Sequence, residues 1–153
     1  GLGSNLGDSR QILSEAIAKL KTLGEVKVSK LYQSPPMGPQ DQPNYLNAVA
    51  ELNTDLTPLD LLDQLQRFEK EAGRVRLRRW GERTLDLDLL IYGDEKIQNE
   101  RLTVPHIGIL ERDFVVIPLL DLDADLHIND QPLKNLELIQ QPTLTVLADE
   151  SWA

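Results

Sequence analysis

With 153 residues, 41% of them apolar and 27% charged, the chain suits one domain built on one core. Its net charge of −9 repels nucleic acid and anionic membrane as a whole, so any phosphate-binding role has to be local. The absence of cysteine excludes disulfides, zinc–thiolate sites and thiol nucleophiles, and fits a reducing cytoplasm. The longest apolar stretch, 114–120, is too short to span a bilayer and is interrupted by Pro118. No charged-then-apolar leader opens the chain, which is the pattern of a protein without a signal peptide.

In chain order, Gly1 to Gly7 is glycine-rich and precedes a helix, but it lacks the Gly-Lys-Ser/Thr of a Walker loop and reads as a strand-to-helix turn. Ile12, Leu13, Ala16, Ile17, Leu20 and Leu23 recur at helical spacing, predicting a helix over 8–23 capped by Asp8 or Ser9. Residues 26–33 read as a strand. Residues 35–44 hold four prolines and a glycine, which forbid a regular element and make a stiff loop. Residues 45–53 alternate as a strand, with Leu46, Ala48, Ala50 and Leu52 on one face and Tyr45, Asn47 and Glu51 on the other. A helix follows, capped by Thr57 with Pro58 at its first position and Gly73 as its stop. Its expected buried stripe is Leu59, Leu62, Leu65 and Phe68. Residues 84–92 read as a strand with Leu85, Leu87, Leu89 and Ile91 on one face and Thr84, Asp86, Asp88 and Leu90 on the other. Gly93-Asp94 makes a turn, a short helix precedes the apolar run 114–120, and a weak helix is expected over 132–140. Two amphipathic helices among strand pairs predict an α+β sandwich, with helices on one face of a mostly antiparallel sheet.

Asp86 and Asp88 are the strongest chemical signal. At i and i+2 on a strand they leave one face, with Cα atoms roughly 6.5–7 Å apart. Two carboxylates so placed suit a hard cation such as Mg²⁺, which keeps further positions for water or phosphate oxygens. Asp121 and Asp123 share the spacing and serve as an internal control, because nothing else recommends them. Arg74, Arg76, Arg78, Arg79 and Arg83 cluster just before the pair, five of nine arginines in an acidic chain. Guanidinium groups so crowded repel unless an anion joins them, and their planar forks match phosphate oxygens. Carboxylates for the metal and arginines for a polyphosphate make a coherent pair. Tyr45 and Asn47 share a strand face, where a phenol ring can stack on a flat heterocycle and an amide can read its edge. Trp80 and Phe114 also stand beside polar motifs. His106 suits either a phosphate contact or a structural junction. A nucleotidyl- or glycosyltransferase using Asp-x-Asp, and a nucleic-acid-binding module gripping through the arginines, are alternative readings of these residues.

Taken in order, the segments Gly3-Ser4-Asn5-Leu6-Gly7-Asp8, 35–47, Gly73-Arg74-Val75-Arg76, 79–88, 101–106 and 111–120 resemble the 6-hydroxymethyl-7,8-dihydropterin pyrophosphokinase family of folate biosynthesis. The resemblance implies a ferredoxin-like α/β sandwich forming a single domain over 1–153. It also implies transfer of pyrophosphate from ATP to the hydroxymethyl group of a reduced pterin, giving AMP. It further implies two Mg²⁺ ions on Asp86 and Asp88, with Arg76 and Arg83 as catalytic partners. The pterin would meet Ser34, Pro35, Met37, Tyr45, Asn47, Trp80 and Phe114. ATP would meet Gln66, Glu69, Arg76, Arg79, Trp80, Arg83, Arg101, Thr103, His106 and Arg112. A cytoplasmic monomer with small-molecule partners, and with neither nucleic acid nor membrane, follows from the same likeness. Family members carry a full strand before Gly-Ser-Asn, whereas only Gly1-Leu2 stand there in this chain, so the first strand is expected to be truncated or lost.

Overall fold

The computed structural model describes residues 1–36, 41–73 and 84–153. The chain runs β1 (Leu2–Ser4), α1 (Ser9–Leu20), β2 (Glu25–Val28), β3 (Leu31–Ser34), β4 (Tyr45–Ala48), β5 (Ala50–Asn53), α2 (Pro58–Glu71), β6 (Asp86–Leu87), β7 (Ile97–Gln98), β8 (Thr103–Val104), α3 (Asp113–Leu122), β9 (His127–Ile128), β10 (Gln131–Pro132) and β11 (Thr145–Ala148). Five strands form an antiparallel sheet in the order β11-β3-β4-β1-β6. The first strand is therefore present and lies between β4 and β6. Three short pairs, β2 with β5, β7 with β8 and β9 with β10, complete the ladders. This is the expected α+β arrangement. No described helix is long and apolar enough to cross a membrane.

The helix starts obey local chemistry. The Asp8 side chain accepts from Gln11 N at 3.3 Å, and Thr57 Oγ1 accepts from Asp60 N at 3.2 Å, each satisfying an orphan N–H of the first turn. The buried stripe of α2 is Leu61, Leu62, Leu65 and Phe68, and Leu59 is 39% exposed rather than part of it. At about 100° per residue, Leu59 sits about 120° round the helix from the centre of that stripe.

The single strand expected over 26–33 is a bulged one. Val28 pairs with Ala50 and Tyr32 with Asn47, so Ser29 and Lys30 together face Val49. Every backbone group the bulge frees finds a partner. Val49 N donates to Ser29 Oγ at 2.9 Å, Ser29 O accepts from Trp152 Nε1 at 2.9 Å, and Lys30 N donates to Asp121 Oδ2 at 3.2 Å. Asp121 also accepts from Tyr32 Oη at 2.5 Å, so half of the internal-control pair is a strut between α3 and the sheet.

Helices cover both faces of the sheet, a correction to the one-face expectation. Leu13, Ala16, Ile17 and Leu20 of α1 and Leu61, Leu65 and Phe68 of α2 pack with Leu2, Leu31, Ala48 and Leu87. On the other face Val115, Val116 and Leu119 of α3 pack with Val49, Leu90 and Ile109. The strand alternation explains the split, because Leu46 and Ala48 turn to the first cluster and Val49 to the second. The apolar run 114–120 is thus the body of α3, with Pro118 inside it.

Two further expectations change. The helix expected over 132–140 is two 3₁₀ turns, Leu133–Asn135 and Glu137–Ile139, parted by extended Leu136. Spacing of three puts Leu133 and Leu136 into the same cluster, which a three-residue period serves. In 84–92 only Asp86 and Leu87 sit in the ladder, extended by two bonds, from Asp88 N to Gly1 O at 2.9 Å and from the Gly1 amino group to Asp88 O at 2.8 Å. Beyond it a cavity of about 420 Å³ is lined by both β5 and residues 88–93.

Candidate functional site

The antiparallel register sets the site. Asp86 lies opposite Gly3, Gly3 opposite Asn47, and Asn47 opposite Tyr32, one row across three junctions. Adjacent strands are about 4.8 Å apart, so the row sets the Asp86 and Asn47 backbones about 10 Å apart with a residue lacking a side chain between them. A cavity of about 270 Å³ opens there. One end, on the Asn47 side of Gly3, holds Ser34, Pro35 and Tyr45; the other, on the Asp86 side, holds Asp88 and His106; Arg112 and Phe114 lie side by side on the same lining. Gly3 is its floor. A Cβ added at Gly3 would meet Asn47 Oδ1 at 3.7 Å and Tyr45 Cδ1 at 3.9 Å, so a larger side chain would enter the space.

Sheet residues of even and odd parity explain who reaches this face. Ser34, Tyr45, Asn47, Asp86 and Asp88 all alternate away from the α1/α2 core. Asn47 is 4% exposed and its Nδ2 donates to Ser34 Oγ at 2.7 Å, which orients the amide. Asp86 is half-buried and Asp88 exposed, and both side chains line the cavity. Among the described residues no group of three carboxylates or imidazoles gathers that could hold a metal. Two oxygen donors with open positions beside them fit Mg²⁺, which is commonly bound through one or two carboxylates plus phosphate oxygens.

At the acidic end His106 is fixed by its neighbours. Its N–H donates to Leu90 O at 2.8 Å, and its Nδ1 accepts from Gly108 N at 3.0 Å. Burial holds the imidazole below its usual range, opposed by Asp88 and aided by Arg112. A neutral ring accepting at Nδ1 carries its proton on Nε2, a donor suited to an anionic oxygen. The Arg112 guanidinium lies 5.9 Å from the Phe114 ring centroid and folds against Gly108, where a Cβ would come within 2.9 Å of it. Gly108 thus makes room for the cation.

The remaining expected residues fall elsewhere. Gln66, Glu69, Arg101 and Thr103 do not line this cavity. Arg101 binds Asp63 at 2.6 Å and Gln66 at 3.3 Å on the outer face of α2, and Thr103 is in β8. Buried Glu69 accepts from Leu87 N at 3.0 Å and so fastens α2 to the strand between the two aspartates. Met37, Arg76, Arg79, Trp80 and Arg83 lie outside the described residues. Gly3 and Gly108 escaped the sequence reading. Gly3 entered only as the first residue of the Gly3–Asp8 segment, with no role of its own, and Gly108 in no motif; register and packing reveal what their missing side chains permit.

The family model for 7,8-dihydro-6-hydroxymethylpterin-pyrophosphokinase matches residues 1–124. A 2-amino-4-hydroxy-6-hydroxymethyldihydropteridine pyrophosphokinase of Haemophilus influenzae is 53% identical over 143 residues, covering 92% of this chain and 89% of its own length. The protein of the same name from Pseudomonas aeruginosa is 51% identical over 132 residues, covering 84% and 82%. That of Bacillus subtilis is 44% identical over 124 residues, covering 79% and 74%. With more than half of its residues under one family model, and with the carboxylate pair, the Tyr45 and Phe114 rings and Arg112 lining one cavity, the chain belongs to the 7,8-dihydro-6-hydroxymethylpterin-pyrophosphokinase family.

Proposed function

We propose that this chain transfers the β,γ-pyrophosphoryl group of ATP to the hydroxymethyl oxygen of 6-hydroxymethyl-7,8-dihydropterin, releasing AMP and the pterin diphosphate within folate biosynthesis. The observation that carries the reading is the two-ended cavity, with the Tyr45 ring and an oriented amide at one end, carboxylates and an imidazole at the other, and Arg112 beside Phe114 on the same lining. Tyr45 and Phe114 offer faces for a flat ring, and Asn47, held by Ser34, offers the edge recognition. Asp86 and Asp88 are the residues to hold Mg²⁺, with two ions proposed. When bound, the metal supplies charge neutralisation of the triphosphate and acidifies the attacking hydroxyl. Nε2 of His106 and the Arg112 guanidinium would hold phosphate oxygens, fixing the nucleotide in line with the hydroxyl. Arg76, Arg79, Trp80 and Arg83, which precede Asp86 in sequence, are assigned to the same reaction, and Gln66, Glu69, Arg101 and Thr103 to the nucleotide from beyond the cavity. No covalent intermediate is required, because in-line transfer rests on positioning and charge.

The chain is proposed to work as a cytoplasmic monomer on small molecules, one domain over 1–153. Incubation with ATP, Mg²⁺ and the dihydropterin, with products separated by ion-exchange chromatography, tests the reaction. AMP and pterin diphosphate in equal amounts are expected. ADP, or orthophosphate alone, would refute it. Omitting Mg²⁺ should abolish turnover, and full activity in excess chelator would remove the metal role.

A further inference from the structure

A side chain from the turn after β1, outside the cavity described above, helps to hold the segment leading into β4. Asn5, 3% exposed in the turn after β1, donates from Nδ2 to Gln42 Oε1 at 3.0 Å and to the carbonyl oxygen of Pro43 at 2.9 Å. Gln42 is itself 6% exposed. The ladder between β1 and β4 ends with Ser4 opposite Leu46. Backbone pairing cannot pass through Pro43, which has no N–H to give. The Asn5 amide donates to the Pro43 carbonyl and to Gln42, so a side chain ties the two segments together beyond the last backbone rung. Two residues after Pro43 stands Tyr45, whose ring packs over Gly3 at the flat-ring end of the cavity.

We infer that Asn5 and Gln42 are positioning residues for that end: their buried bond holds the backbone of 42–45, and with it the plane of the Tyr45 ring. This rests on the reading of the ring end as the pterin site. Removing one side of a buried polar pair costs more than its hydrogen bond is worth, so the backbone of 42–45 would shift to compensate. Asp86 and Asp88, which enter from β6 on the other side of β1, would not feel that shift.

Titration with fluorescent 6-hydroxymethylpterin, in the presence of Mg²⁺ and a nonhydrolysable ATP analogue, tests the inference. Asn5→Ala and Gln42→Ala should each raise the pterin Kd about tenfold, the scale of one or two lost buried hydrogen bonds. The double variant should be little worse than the worse single, since both remove the same contact. The Kd of the analogue, measured separately, should stay within about twofold, a selectivity that general loss of stability does not produce. Pterin Kd values within about twofold of wild type in Gln42→Ala would overturn the inference, as would an analogue Kd that rises in step with the pterin Kd. Gln42 lies outside every ladder, so this variant decides the matter even where Asn5→Ala fails to fold. Wild-type protein that binds the pterin but yields no diphosphate defeats the proposed reaction, while the same titration still decides the positioning role.

Discussion

Asp88 carries the sharpest expectation at the scale of single residues. Its side chain lines the cavity and is exposed, while its backbone N–H bonds to Gly1 O, so truncating the side chain spares the ladder. Asp88→Ala should lower kcat by about a thousandfold or more, the loss of several kcal/mol of charge stabilisation, with unchanged far-UV circular dichroism. Turnover within about tenfold of wild type would remove Asp88 from metal binding. Gly3 acts by what it lacks. Gly3→Val would push methyl groups into the space between Asp86 and Asn47. It should raise the pterin Kd by about a hundredfold, the scale of an overpacked contact, with the melting temperature nearly kept. Unaltered pterin affinity would show that the ring does not sit over that floor. Of these two residues the aspartate is legible from spacing, since a strand period of two puts it beside Asp86. The glycine is not, because its meaning comes from the residues opposite it in β4 and β6.

Among elements, the bulge in the β2–β3 strand and its strut to α3 couple the ring end of the cavity to the helix that carries Phe114. Tyr32 is 4% exposed, and its phenol bonds to Asp121. Burial, first, and the Asp121 carboxylate, second, raise its pKa well above the ordinary 10.0. The neutral phenol is therefore favoured in the folded state. Its contribution is complete below the unfolded value near 10.0 and declines as pH climbs from there toward the higher folded value. Chemical denaturation across the alkaline range should show stability falling above pH 10, and Tyr32→Phe should reduce that slope while costing about 1–2 kcal/mol near neutrality. Equal alkaline slopes in both proteins would mean that the strut does not govern the decline. Asp121 shares the Asp-x-Asp spacing with Asp123, and nothing else in the sequence recommends it. Its structural job was invisible because Lys30 and Tyr32 stand some ninety positions away in sequence. The α2 stripe shows a milder miss: apolar identity placed Leu59 in the core, and only the helix phase set by its packing turned it outward.

For the whole molecule, the stretch after residue 124 bears no family motif yet closes the structure. β11 adds the outer strand beside β3, and Trp152, 7% exposed, inserts into the α1/α2 cluster while its Nε1–H satisfies Ser29 O in the bulge. Trp152→Ala should cost about 3–5 kcal/mol, read as a fall in the denaturation midpoint at unchanged m-value. A loss under about 1 kcal/mol would show that the tail only covers the core loosely. Trp152 sits in the α1/α2 cluster, on the sheet face opposite the cavity, so turnover at low temperature should survive the substitution.

The boundary between what could be read and what could not runs along sequence distance. Helix starts at Asp8 and Thr57, the face alternation of 45–53 and the shared face of Asp86 and Asp88 follow from periods and caps spanning a few residues, which local chain geometry enforces. The order of motifs was enough to indicate the family. Which face α3 covers, that Gly3 lies between the carboxylates and the amide, and that Asn5 bonds to Gln42 and Pro43 depend on pairings between segments far apart. Those are settled by burying two apolar faces of one sheet at once, a constraint that acts on the folded chain as a whole and leaves no mark on any short run of residues.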